Sequence, residues 1–94
     1  MKGKVPIDEY FPLNKDNFHV LEHIGKVYSA TLNQTNVMNN NNKFYLLQIL
    51  QSDSNSNNCY YFTRWGRVGV VGQMTNLGPM PIMHAIVNFN SKFH

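Results

Sequence analysis

The alternation of apolar and polar positions divides the chain into strands and one terminal helix. Residues 27–32 alternate with period two: Tyr28, Ala30 and Leu32 share one face, Ser29 and Thr31 the other, the pattern of a half-buried strand. Residues 43–51 are apolar on both faces, with Phe44, Leu46 and Leu50 on one and Tyr45, Leu47 and Ile49 on the other. A strand covered on both sides belongs at the centre of its sheet. Residues 59–67 predict a further strand, aromatic at Tyr60, Tyr61, Phe62 and Trp65, and residues 73–77 a short one. Upstream, residues 16–24 have β-forming texture and predict a first strand, followed by a turn at Gly25-Lys26. Ile82, Ala85, Ile86, Phe89 and Phe93 recur at helical spacing behind Pro81, which suits a first helical turn. The expected fold is α+β: an antiparallel sheet of about five strands packed by one C-terminal helix.

Polar segments separate these elements. Residues 33–42, ending in four asparagines, and residues 52–58 predict loops, because asparagine tolerates left-handed backbone and bonds locally. Gly69 and Gly72 bracket a tight turn, and Gly78-Pro79-Met80-Pro81 is expected to end the fifth strand. Residues 1–15 hold three of the six lysines and two of the four prolines, and read as an extended basic lead-in to a domain over 16–94. The helical pattern is still running at His94 without a cap or breaker, as expected of a segment cut from a longer protein.

Composition narrows the chemistry. Ninety-four residues suit one core, and 43% hydrophobic residues exclude a disordered tail. A formal net charge of +3 permits an anionic partner without requiring one. Cys59 is the single cysteine, so no internal disulfide can form, which suits a reducing compartment. No apolar run reaches membrane-spanning length and residues 1–6 lack a signal-peptide core, so no membrane partner is expected. Cys59 heads a strand with no His–carboxylate pair beside it and is expected as a small buried thiol rather than a nucleophile. His19, His23 and His84 do not follow zinc-module spacing, and no metal is expected. Gly66, Gly69 and Gly72 precede a strand instead of a helix N-terminus, which excludes a dinucleotide cradle.

What remains is Arg64-Trp65-Gly66-Arg67-Val68-Gly69, around the only tryptophan. A guanidinium fork matches phosphate, and an indole face accepts a base or sugar. A large aromatic is also commonly part of a core, and the residues alone leave both readings open. Alternation places Trp65 and Arg67 on one face and Arg64 on the other, where a structural bond into the sheet is expected. Asn42-Lys43, opening the central strand, sets an amide beside an ammonium and is a candidate phosphate site.

The hexapeptide, with Gly72-Gln73, is similar to the signature of the WGR domain, named for Trp-Gly-Arg. Leu32-Asn33-Gln34-Thr35-Asn36 and residues 40–50 resemble the WGR domain of the smaller DNA-dependent poly(ADP-ribose) polymerases. Ala85, Phe89 and Phe93 follow the pattern of its helix, and Gly3-Lys4-Val5-Pro6-Ile7-Asp8 looks like its lead-in. The resemblance implies a non-catalytic nuclear module of DNA repair that docks on duplex ends or nicks carrying a 5′-phosphate. Trp65 would pack against the terminal nucleotide, and Asn42 and Lys43 would contact the phosphate. Arg67 would relay the bound state to the parent's helical and catalytic domains, with Arg64, Gly66 and Gly69 structural. The alternative is a protein-interaction module that contacts those domains, or another protein, without binding DNA. Two departures stand out. Val70 occupies a position where some relatives carry a charge, and the family's Lys-Thr-x-Asn-x-Trp segment and transferase domain are not in this sequence. No cofactor is therefore expected in this chain, NAD being expected for the parent's catalytic domain.

Overall fold

The computed structural model describes residues 5–34 and 42–93, leaving out the side chains of Gln34, Lys92 and Phe93. A one-turn 3-10 helix, Lys15–Asn17, leads into β1 (Phe18–Val20) and two short strands, β2 (Glu22–His23) and β3 (Lys26–Val27). Then follow β4 (Ser29–Gln34), β5 (Lys43–Ser52), β6 (Cys59–Arg67), β7 (Gln73–Met80) and helix α1 (Ile82–Phe93). Five of the strands form one antiparallel sheet with β5 as its axis. β6 pairs along one side of β5, and β7 closes the far edge against β6. The other side of β5 is shared, β4 lying opposite residues 43–48 and β1 opposite residues 50–52. This is the expected α+β architecture, with the doubly apolar run at the centre. Of the expected 33–42 loop, residues 35–41 lie outside the described residues, and Asn33 and Gln34 still belong to β4.

The single first strand expected over 16–24 is three separate pieces. Asn14 caps the 3-10 turn, its side chain accepting the Asp16 N–H at 3.0 Å, so the chain coils before it extends. Past β1, the Leu21 N–H donates to the Ile49 carbonyl (2.8 Å) and the Ile49 N–H to the Tyr28 carbonyl (3.0 Å). One residue of β5 thus holds both the point where the chain leaves the sheet and the point where it returns. The residues between them form the two-stranded ribbon β2–β3, which turns at Ile24-Gly25 (φ 51° and 74°), one residue earlier than expected. Period-two texture reports extended backbone; it does not separate a continuous strand from a hairpin stem. The fifth strand also differs, because Gly78-Pro79 does not end it. β7 runs to Met80 with a register shift opposite Cys59 to Tyr61, since an edge strand can carry a proline whose missing N–H faces away from the ladder. The Pro81 carbonyl then accepts the Ala85 N–H at 3.1 Å to open α1.

Each face of β5 has its own cover. On one, Leu47 and Ile49 with Cys59 and Tyr61 of β6 pack against Ala85, Ile86 and Phe89 of α1. On the other, Leu50 and Phe62 are covered by Phe11 and Val20, with Val5, Ile7 and Phe18 beside them. Phe11 meets Phe18 and Phe62 edge-on at 5.3 and 5.7 Å. The lead-in is therefore the second lid of the sheet. Buried Gln48 and part-buried Arg64 pin it down. Gln48 accepts the Asp8 N–H (2.9 Å) and donates to the Pro6 carbonyl (3.1 Å) and to Ser29 Oγ (3.0 Å). Arg64 donates twice to the Asp8 carboxylate, from Nε (3.1 Å) and Nη2 (2.9 Å), and from Nη1 to the Val71 carbonyl (2.8 Å). Its guanidinium also lies 4.8 Å from the Tyr10 ring centre and 4.9 Å from that of Phe44.

With side-chain exposures of 14% and 6%, the Arg64–Asp8 pair is buried enough that losing one partner strands a charge. Asp8→Ala is expected to cost about 3 kcal/mol in urea denaturation; an unshifted midpoint would mean that the lead-in lies outside the cooperative unit. Burial also pushes the Cys59 thiol up to about 11, and burial with the neighbouring Tyr45 pushes the Tyr61 phenol up to about 12. The folded state favours the neutral forms, so their contribution is complete below the ordinary values of 9.0 and 10.0 and is lost as pH rises through the folded ones. Melting temperature should therefore fall progressively above about pH 9, and Cys59 should resist thiol reagents in native protein while reacting once the chain unfolds.

Candidate nucleic-acid interface

At the Lys43–Tyr45 end of β5, the sheet face that carries α1 holds an open groove of about 490 Å3. Antiparallel register builds it: Lys43 stands opposite Arg67, and Tyr45 opposite Trp65. Leu32 of β4 lies across from Tyr45, and Gln73 of β7 across from Trp65, so four strands contribute to one row. Leu32, Asn33, Phe44 and Gly66 complete the lining beside the aromatic pair and the two cations. The Tyr45 and Trp65 rings are stacked, 5.8 Å between centres and 15° between planes.

The hairpin between β6 and β7 fixes this end. The Val68 N–H donates to the Asn42 carbonyl (2.9 Å), one step beyond the Lys43–Arg67 pair, and the Val70 N–H to the Arg67 carbonyl (3.2 Å). The chain turns at Gly69 (φ 100°) and comes back at Gly72 (φ 82°). A Cβ on Gly72 would lie 2.1 Å from the Trp65 carbonyl oxygen, and one on Gly66 would lie 2.8 Å from the Gly72 Cα. Two glycines facing each other let β7 begin directly beside Trp65.

Lys43 and Arg67, opposite each other in register, both line the groove and present positive charge to an anion. A stacked aromatic platform one row away offers a flat, sequence-tolerant surface to a sugar or base. Together these groups suit a nucleotide carrying a phosphate.

The sequence candidates separate into distinct places. Trp65, Lys43 and Arg67 share the groove, with Gly66 at its floor. Asn42 contributes its carbonyl to the hairpin and is exposed, while Asn33 is the asparagine among the groove's lining residues. Arg64 points to the opposite face, into its bond with Asp8. His19 spans Asp53 (2.5 Å) and Gln51 (2.6 Å), and among the described residues no group of three His, Cys, Asp or Glu gathers as a metal site. Sequence reasoning did not single out Tyr45 or Leu32 as groove residues. Alternation makes them core-facing, and only the register shows that this stretch of the core face is uncovered.

The pattern that defines the WGR domain matches residues 28–94, from the end of the β2–β3 ribbon onward. The chain is 50% identical over 95 aligned residues, 99% of its own length, to poly(ADP-ribose) polymerase 2 of Zea mays, covering 14% of that protein. It is 44% identical over 73 residues, 78% of the chain, to poly(ADP-ribose) polymerase 2 of Homo sapiens, covering 12% of it. Human protein mono-ADP-ribosyltransferase PARP3 is 59% identical over 46 residues, 49% of the chain and 8% of that protein. The chain thus spans about a seventh or less of these relatives.

The two turn glycines should respond differently to a methyl group. Gly72→Ala sets a Cβ against the Trp65 carbonyl at a positive φ and is expected to lower stability by about 3 kcal/mol or more. Gly69→Ala, where no atom lies within 4 Å of the added Cβ, meets only the backbone preference and should cost about 1 kcal/mol. Paired thermal melts check the ordering, and equal losses would contradict the close approach at Gly72.

Proposed function

The chain belongs to the WGR domain family, and on that premise we propose that it is the regulatory, DNA-break-sensing module of a nuclear ADP-ribosyltransferase of the poly(ADP-ribose) polymerase type. Its ligand is a duplex end or nick bearing a 5′-phosphate. The observation that carries this reading is the Lys43–Arg67 cationic pair set one row from the Trp65–Tyr45 stack in a single groove. Trp65 takes the terminal nucleotide on its indole face. Lys43, with Asn42 beside it, draws the phosphate. Catalysis and NAD belong to the parent's transferase domain.

The β6–β7 tip supports a second contact with the parent's helical and catalytic region. Val68 and Val70 are 59% and 56% exposed directly beyond Arg67, apolar surface that a phosphate does not use. Arg67 borders both the groove and that tip, which is where a relay residue is needed.

Titration of labelled duplexes with and without a 5′-phosphate tests the ligand. The phosphorylated end should bind more tightly, with log affinity falling against log salt at a slope of about −2 to −3. Trp65→Ala should weaken it about tenfold. Equal affinity for both duplexes, or an undiminished Trp65→Ala variant, would sink the proposal. In the full-length parent, Arg67→Ala should weaken DNA binding only modestly, by about threefold, and lose DNA-stimulated activity even at saturating DNA; full stimulation at saturating DNA would remove Arg67 from the relay.

A further inference from the structure

The Trp65 indole is partly exposed in the groove, with exposed Gln73 opposite it on β7. Its stacked neighbour is Tyr45, with ring planes 15° apart. A tryptophan turns about two side-chain torsions, and a parallel ring against one face removes most of that freedom.

Tyr45 is itself held from two directions. Leu32 of β4 is its register partner on the side away from Trp65. The Tyr45 side chain also packs against the core cluster that includes Leu47, Ile49, Ala85 and Phe89. Tyr45 therefore touches both the α1-covered core and the indole.

We propose that Tyr45 is a positioning residue of the groove, holding the Trp65 indole in the orientation it presents to the terminal nucleotide. The inference rests on the end-binding reading of the groove. It deepens that reading by naming what organises the platform before the ligand arrives. An indole already fixed loses little freedom on binding, whereas a rotating one must be ordered by the ligand, at a cost in affinity. The stability of the α1 face and the order of the binding platform are thereby linked through one ring.

Because Trp65 is the only tryptophan, its fluorescence reports this one side chain. Time-resolved anisotropy of the free protein should show overall tumbling alone in the wild type and in Tyr45→Phe, which keeps the ring. Tyr45→Leu, which keeps apolar bulk without a flat face, should add a fast local component; Tyr45→Met is the second variant if leucine disturbs folding, judged by circular dichroism. Affinity for the 5′-phosphorylated duplex should fall about fivefold in Tyr45→Leu and stay within about twofold in Tyr45→Phe. A rigid indole in Tyr45→Leu overturns the proposal, and so does a mobile indole that binds with full affinity. If the wild type ignores the 5′-phosphate, the end-binding reading fails, while the anisotropy comparison still decides whether Tyr45 orders the indole.

Discussion

A single strand that must be buried on both faces organises this domain. β5 carries apolar side chains in both directions, so neither face can be left to solvent, and the chain supplies a different lid for each. α1 covers one face and the lead-in covers the other. The lids are unequal in reach. A helix of 12 residues is about 18 Å long, and a strand of 10 residues extends about 34 Å. Whatever its direction, α1 cannot cover the whole of β5, and the end left open is the one bearing Lys43, Tyr45, Trp65 and Arg67. The groove is the unroofed remainder of the core face.

The two arginines of the central hexapeptide show how alternation separates structure from chemistry. One residue of offset sends Arg64 to the lead-in face, where Asp8, the Val71 carbonyl and two aromatic rings engage its guanidinium. Arg67, three positions later, lies on the opposite face beside Lys43. The first ties the second lid to β6 and to the turn after it, and so steadies the hairpin that carries the second. The glycine contact at Gly66 and Gly72 completes this arrangement by bringing β7 close enough to flank Trp65. Stability and proposed binding are thus built from neighbouring residues, with Tyr45 belonging to both.

Local signals carried the fold a long way, and the places where they fell short have a common cause. Alternation marked β4, and dense apolar and aromatic runs marked β5 and β6, because each is an extended strand of one sheet. It ran residues 16–24 together because backbone texture does not reveal that Ile49 bonds both Leu21 and Tyr28 and ejects the residues between. It ended the last strand at the glycine–proline pair because the tolerance of an edge for proline depends on which strand becomes the edge. The lead-in showed no periodicity for a similar reason. Its contacts are single anchors, Asp8, Phe11 and the backbone at Pro6, rather than a repeating face.

By itself, the sequence determined the α+β class, the central place of residues 43–51, the membership implied by the Trp-Gly-Arg hexapeptide, and the division of Arg64 from Arg67. All of these are written in residue identity and spacing along the chain. Tertiary structure alone decided that Tyr45 stacks beside Trp65, that Lys43 stands opposite Arg67, that Asn33 lines the groove, and that the lead-in is a lid. Each of those depends on the register between strands distant in sequence and on how far a short helix reaches along a longer strand, and neither quantity exists until the sheet has closed.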